Sequence, residues 1–179
     1  MNIANNTTTA EYSRPGAGHT APPFVAALQS TSRWLDLLYS PFALATRLYV
    51  SWVFLHSGWL KISAWDQTLS LFEDEYRVPL LAPHVAAVVG TFGELSFPVL
   101  VALGLAGRLG AVGLFAVNAM AVISYAHVLF QEGFEAAIGQ HYLWGFMLLM
   151  LALKGPGAFS VDRLLARRYG ACSSGRPLP

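Results

Sequence analysis

The chain has 179 residues, of which 55% are hydrophobic and only 12% are charged, about half the charged fraction of an average soluble domain. With a mean hydropathy of +0.48, this composition indicates several membrane spans rather than a soluble core. A net charge of +1 gives no basic excess for binding nucleic acid. The single cysteine, Cys172, excludes a disulfide, a CxxC redox pair and a thiolate metal cluster within one chain.

Residues 1–40 lack a long apolar run and are expected to form a flexible N-terminal tail. Residues 1–23 are rich in Asn, Thr, Ala, Gly and Pro, and they lack a charged start followed by an apolar core and a cleavage site. We therefore expect no signal peptide. Residues 24–39 place apolar side chains at helical spacing around Trp34, so they form either an interfacial helix or a frayed tail.

Four stretches are long enough to cross a bilayer as helices, which takes about 20 residues. Residues 41–168 are therefore predicted to be an all-α, integral membrane four-helix bundle, with spans at about 42–64, 84–105, 109–130 and 138–154. Pro41 is well placed to open the first span, because a proline in the first turn loses no needed hydrogen bond. Residues 65–83 mix acidic and apolar side chains, so we expect them to fold as an interfacial cap.

The bundle is expected to end at Gly155-Pro156-Gly157, since neither residue type continues a helix well. Ser160 is then placed to cap a further short helix, with Asp162 in its first turn, where a negative charge suits the helix dipole. Residues 169–179 follow as a C-terminal tail.

Lys and Arg residues outside the spans predict the orientation of the bundle, because cytoplasmic loops carry an excess of them. One side has only Arg77. The other side has eight: Arg14, Arg33, Arg108, Lys154, Arg163, Arg167, Arg168 and Arg176. Both termini are therefore expected in the cytoplasm, with the acidic connections facing outward.

Five polar side chains within the spans form a candidate intramembrane site: Glu94, Lys61, His56, Asn118 and Arg47. Ionisable groups at this depth usually face a bundle interior, a cavity or a charged partner. At ~1.5 Å per residue, Glu94, Asn118 and His56 share a layer near mid-membrane. On the same scale Lys61 lies ~12 Å toward the outside and Arg47 ~9 Å toward the cytoplasm.

Glu94 is the most informative of these residues, and two interpretations of it remain open. It is either a buried ion pair or hydrogen-bonded acid that fixes helix packing, or a carboxyl that handles protons or contacts a quinone. Lys61 and Arg47 are candidate partners because their side chains are long. Lys61 alternatively snorkels to the outer interface.

Three histidines, His84, His127 and His141, are expected near the outer surface. Neutral imidazole is a common metal ligand, but the sequence has no HxxxH, HxH or HExxH pattern, and each histidine lies on a different element. We therefore expect hydrogen-bonded or interfacial histidines rather than a bound metal or haem.

These residues together resemble the DoxX family of small four-helix bacterial membrane proteins. The resemblance covers all four spans but neither tail. It is carried, in order, by Arg47, Phe54-x-x-x-Gly58-x-x-Lys61, Phe72, Gly90-x-x-Gly93-Glu94, Pro98, Gly104-Leu105-x-x-Arg108 and Gly155-Pro156-Gly157-Ala158-Phe159-Ser160-Val161-Asp162.

The resemblance implies a multi-pass protein of the bacterial inner membrane that serves as a membrane subunit of a redox or stress-related system, with quinone as the implied cofactor. Two alternatives remain. The chain is a non-catalytic anchor for a soluble oxidoreductase or stress-protein partner, or it forms a small-solute or proton pathway, which for four short spans requires a homo-oligomer. No catalytic residues are identified by the sequence.

Overall fold

The computed structural model describes residues 23–170, with side chains from Leu37 to Tyr169. The predictions for residues 1–22 and 171–179, including Cys172, lie outside the described residues, as does the side chain of Trp34. The chain divides into two units, Met1–Leu35 and Asp36–Pro179. The first contributes the opening turns of the first helix, and the second contains the bundle.

Between residues 23 and 170 the secondary structure is entirely helical, which confirms the all-α fold class. A π-helical turn, Leu71–Glu75, follows the second helix. The α-helices are α1 (Pro23–Ser63), α2 (Trp65–Ser70), α3 (Pro83–Leu103), α4 (Gly107–Ser124), α5 (Ala126–Leu129), α6 (Glu135–Lys154) and α7 (Val161–Gly170).

Three of these helices, α3, α4 and α6, are long and apolar enough to cross a membrane. Their outward surfaces carry large apolar side chains such as Leu109, which is 75% exposed, and Phe146, which is 69% exposed. Such a surface suits lipid rather than water, and the chain is a multi-pass membrane protein. The stretch 42–64 of α1 falls outside this group because its polar side chains lower its hydropathy.

Two predicted helix boundaries differ from the structure. Pro41 lies inside α1 instead of opening it. A proline inside a helix removes one hydrogen bond to the carbonyl four residues earlier, here that of Leu37, whose side chain is 66% exposed. Pro41 and Leu37 are both exposed, so the lost hydrogen bond falls on an exposed part of α1.

The third predicted span, 109–130, is broken at Tyr125 into α4 and the short α5. Ser124 explains the break, because its carbonyl accepts a hydrogen bond from the backbone N–H of Arg77 at 2.9 Å. Its hydroxyl donates to the carbonyl of Met120 at 2.7 Å. The carbonyl of Ser124 thus accepts a hydrogen bond from a distant loop in place of the next helical one. No local sequence pattern reveals this contact.

The connection between the first two long helices packs on the bundle as expected. Phe72 of the π-helical turn is buried against Ala86 and Ala87 at the start of α3. Thr68 closes the turn into α2 by donating to the carbonyls of Lys61 and Ala64, at 3.0 and 3.1 Å. This segment therefore covers one end of the bundle, here called the loop end.

The core of the bundle forms where α4 packs against both α3 and α6. The second half of α1 joins it through Val50 and Phe54, which are buried with Leu114 and Leu148. The ring of Phe54 meets that of Trp144 on α6 edge-on, with centroids 5.7 Å apart.

The opposite end of the bundle is here called the basic end, because Arg108, Lys154 and Arg163 lie there. It contains a turn between α3 and α4 that needs glycine. Gly104 ends α3 with φ +65° and ψ +35°, the left-handed conformation that glycine adopts without steric cost. The carbonyl of Gly104 accepts the N–H of Asp162 at 3.1 Å, which joins this turn to the start of α7. Ser160 caps α7 as predicted, since its hydroxyl oxygen accepts the N–H of Arg163 at 3.3 Å.

Replacing Gly104 by alanine should lower the free energy of unfolding by about 1–3 kcal/mol, the range for a non-glycine residue in a strained conformation. The new methyl group would also meet the guanidinium of Arg47 and the side chain of Ser160. Denaturation in detergent measures the loss. Gly139→Ala is the control: it lies within α6 with open space around it, so we expect a gain of about 0.5–1 kcal/mol. Equal effects of the two substitutions would contradict this account of the turn.

Candidate functional site

An ion pair joins α1 to α3 inside the bundle. The ammonium of Lys61 donates to both carboxylate oxygens of Glu94, at 2.6 and 2.5 Å. It also donates to the hydroxyl of Ser57 at 3.2 Å. The two charged side chains are only 14% and 10% exposed. Of the two candidate partners of Glu94, the structure therefore selects Lys61, which does not snorkel.

Gly58 allows this pairing by bringing the two helices close together. A Cβ atom at this position would lie 3.0 Å from the side chain of Leu95 and 3.1 Å from the Cβ of Glu94. A larger residue one turn before Lys61 would therefore push α1 away from α3. The Gly58-x-x-Lys61 spacing places the close approach and the ammonium on the same helix face.

A cavity of about 300 Å³ opens beside the ion pair. It lies between α3, α4 and the segment that follows the π-helical turn. Its walls are mostly apolar, and the room comes from small residues on the two helices. The residues that shape it are Phe72, Gly90, Phe97, Gly113, Ala116 and Ala121, with Lys61, Glu94, Tyr76 and Ser124 as polar residues.

Tyr76 is a further polar residue of the cavity, and the sequence did not identify it. Its ring packs edge-on against Phe72 and Tyr125, with centroid distances of 4.8 and 5.2 Å. Burial, and then the negative charge of Glu94, raise the pKa of Tyr76 to about 12. Its phenol therefore stays protonated at neutral pH and is available as a hydrogen-bond donor. No periodicity in the loop sequence points to Tyr76, because its place depends on contacts distant in the chain.

Asn118 pairs with His141 rather than with Glu94. Its amide nitrogen donates to the carbonyl of His141 at 3.0 Å, and its amide oxygen lies 2.9 Å from the Nδ1 of the same residue. The His141 ring also meets Trp144 edge-on at 5.0 Å. These contacts hold α4 to α6, so Asn118 belongs to a separate polar pair.

His56 was a candidate for this site because of its predicted depth, but its side chain does not enter the site. Its side chain is exposed on the outer face of α1, where its ring lies 6.2 Å from that of Trp52. The prediction considered depth but not direction. His56 and Lys61 are five residues apart, which places them about 140° from each other around a helix.

Arg47 lies at the basic end of α1, about 21 Å along the helix from Lys61. Its guanidinium donates to the carbonyl of Pro156 at 2.8 Å and to that of Phe159 at 2.6 Å. It is therefore too far from Glu94 to be its partner. Arg47 instead holds the segment between α6 and α7.

The outer histidines do not gather into one site. His84 lies 3.0 Å from the carboxylate of Glu73, His127 packs against Tyr125 at 5.6 Å, and His141 binds Asn118. Among the described side chains, no group of three His, Cys, Asp or Glu residues is placed to hold a metal ion.

Asp162 has a role that the sequence did not predict. Its two carboxylate oxygens accept the backbone N–H groups of Ala106 and Gly107, both at 2.8 Å. It therefore caps the start of α4, in addition to lying in the first turn of α7 as predicted. A contact across 55 residues leaves no local signal.

Comparison with known proteins gives one match. The DoxX family model matches residues 42–128, from α1 through most of α5. This stretch contains Arg47, Lys61, Tyr76 and Glu94, whereas the glycine-rich ending at residues 155–162 lies beyond it. No curated protein and no solved structure matches the chain.

Proposed function

We propose that this chain, which belongs to the DoxX family across residues 42–128, binds a quinone in the cavity beside Lys61 and Glu94. In this proposal it serves as a membrane subunit of a redox or stress-related system. The observation that carries the proposal is an apolar cavity of about 300 Å³ with polar groups gathered at one place on its wall. That combination is typical of small-molecule sites, whose volumes are about 300–1,000 Å³.

The cavity fits a flat, apolar ring with carbonyl oxygens. Phe72 and Phe97 supply aromatic surface, and Gly90 and Gly113 leave room between the helices. Tyr76 supplies a hydroxyl that makes no hydrogen bond to another described residue, so it can donate to a ligand oxygen. Lys61 supplies the only ammonium among the lining residues.

A bound quinone supplies two-electron, two-proton redox chemistry. The residues of this chain would bind the ring, keep water away and hold a proton beside it. The ammonium of Lys61, which donates to both carboxylate oxygens of Glu94, would supply the N–H groups beside the ring. Tyr76 fixes the orientation of the ring through its hydroxyl. In this proposal the electrons come from a soluble oxidoreductase partner, and the single cysteine of the chain provides no thiol pair to carry them.

The same proposal places the protein in the bacterial inner membrane, with α1 as a fourth span and both termini in the cytoplasm. Arg108, Lys154 and Arg163 lie together at the basic end, and the acidic Leu71–Glu75 turn lies at the loop end. This separation of charge supports a cytoplasmic basic end.

Quinone extraction tests the proposal directly. The protein is purified in mild detergent from its native membrane, its oxidised-minus-reduced absorption spectrum is recorded, and the sample is extracted for quinone. We expect a stoichiometric amount of quinone. A featureless spectrum without quinone would reject the assignment and leave the anchor function in its place.

Filling the cavity should displace the ligand. Ala121→Phe places a ring among the lining residues, in the space that the ligand would occupy, so quinone binding should weaken at least about tenfold. Ile123→Phe is the matched control, because Ile123 lies on the same helix but its side chain is 55% exposed. Quinone titration monitored by tryptophan fluorescence measures both. Equal binding by the two variants would mean that the quinone lies elsewhere.

A second function is favoured by the ion pair itself. Because Lys61 and Glu94 already satisfy each other, they tie α1 to α3 without any ligand. The chain would then be a rigid, non-catalytic membrane anchor for a soluble oxidoreductase or stress-protein partner. Substitution of Glu94 separates the two functions.

A further inference from the structure

The basic end contains a second cavity, which the proposed quinone site does not use. It has a volume of about 600 Å³ and is formed by α1, α4, the segment after α6, and α7. Three cationic residues from three elements line it: Arg108, Lys154 and Arg163. Such a gathering of like charges costs energy unless an anion or solvent compensates it.

One of these cations, Lys154, packs against the ring of Tyr39. The ammonium of Lys154 lies 5.3 Å from the centroid of the Tyr39 ring, within cation–π range. The hydroxyl of Tyr39 donates to the carbonyl of Gly155 at 2.7 Å, which fixes the ring. The guanidinium of Arg108 lies beside Gly155, with its Nε 3.5 Å from the position that a Cβ on Gly155 would occupy. Lys154 and Arg108 thus lie on either side of the Tyr39–Gly155 contact.

The acidic residue among the lining side chains is already engaged. Both carboxylate oxygens of Asp162 accept backbone N–H groups at the start of α4. Those oxygens point to Ala106 and Gly107, so Asp162 offsets the charge of the three cations only through space. The cavity wall keeps an excess of positive charge.

The cavity also lies at the level expected for lipid headgroups. Arg108 is the second residue of α4, and Lys154 is the last residue of α6. Both helices are long and apolar enough to cross a membrane, so their ends at this face reach the interface together. Basic pockets between membrane helices are a recurrent way of binding anionic headgroups, and guanidinium groups match phosphate oxygens with two parallel hydrogen bonds.

We infer that this cavity binds a phosphate group, supplied by the headgroup of an anionic lipid, between Arg108, Lys154 and Arg163. The ligand joins α4, α6 and α7 at the membrane surface. Its binding stabilises the folded protein by mass action, so it should be visible as an increase in the thermal unfolding midpoint.

The test uses the full-length protein in a neutral detergent, titrated separately with phosphatidylglycerol, phosphatidylcholine and inorganic phosphate. We expect phosphatidylglycerol alone to raise the unfolding midpoint. In the R108Q/K154Q double variant its apparent affinity should fall at least about tenfold, the loss expected from one hydrogen bond to a charged group. The R167Q/R168Q control removes the same charge from exposed positions on α7 outside the cavity and should keep the wild-type affinity.

Three results separate the outcomes. Equal losses in both double variants would overturn the site, because binding would then follow net charge alone. If inorganic phosphate raises the unfolding midpoint and phosphatidylglycerol does not, the bound phosphate group comes from a free phosphate compound, and the lipid assignment is overturned. No shift with either would overturn the inference. If R108Q/K154Q fails to fold, the single exposed substitution Arg163→Gln, compared with Arg167→Gln, carries the same test.

Discussion

Replacing Arg47 by methionine should lower the free energy of unfolding by about 2–6 kcal/mol, because it leaves two carbonyls without their donor at about 1–3 kcal/mol each. Arg47 is only 2% exposed, and its guanidinium binds the carbonyls of Pro156 and Phe159. These two carbonyls lie 109 and 112 residues away in the chain. The loss should therefore free the segment between α6 and α7.

Denaturation in detergent measures the stability, and limited proteolysis of α7 measures the release of that segment. Arg167→Met is the control, since Arg167 is exposed and lies on α7. This substitution should change the free energy of unfolding by less than about 0.5 kcal/mol. Arg47→Lys keeps the charge but lacks the planar fork that spans two carbonyls. Full stability of Arg47→Lys would contradict the view that two directed hydrogen bonds, rather than one buried charge, hold the junction.

The long helices were predictable from sequence because apolar length is a local property. α3 and α6 begin and end within three residues of the predicted spans 84–105 and 138–154. The break at Tyr125 was not predictable, because it depends on a hydrogen bond from Arg77. Pro41 was misplaced for a related reason: whether a helix tolerates proline depends on the surroundings of the carbonyl that loses its partner.

The candidate site was predictable in its chemistry but not in its full composition. A lysine and a glutamate at membrane depth each need a polar partner, and each can be the partner of the other. Lys61 and Glu94 could therefore be proposed as a pair. His56 shows the limit of arguments from depth, since its direction around α1 takes it out of the bundle. Tyr76 and the cavity lie beyond sequence reasoning, because they arise where a loop, α3 and α4 meet in space.

Replacing Glu94 by alanine should destabilise the protein by about 3–5 kcal/mol, the cost of leaving a buried charge without its partner. The remaining contact of the Lys61 ammonium is the hydroxyl of Ser57. The K61A/E94A double variant removes both charges, so it should lose much less than the sum of the two single losses. Glu132→Ala, at an exposed position, is the control and should stay within about 0.5 kcal/mol of wild type. Additive losses would mean that the two side chains do not interact.

Replacing Glu94 by glutamine keeps an amide oxygen that can accept one hydrogen bond from Lys61, but it removes the negative charge of the ion pair. A quinone site predicts a folded protein that has lost its bound quinone and its redox activity. An anchor predicts that quinone content is irrelevant and that only stability or recovery of the partner declines. Glu94→Gln therefore changes quinone content and redox activity if the protein is a quinone subunit, and stability or partner recovery if it is an anchor. A Glu94→Gln variant with wild-type stability, quinone content and partner recovery would remove Glu94 from both, and with it the reason for placing the function at this ion pair.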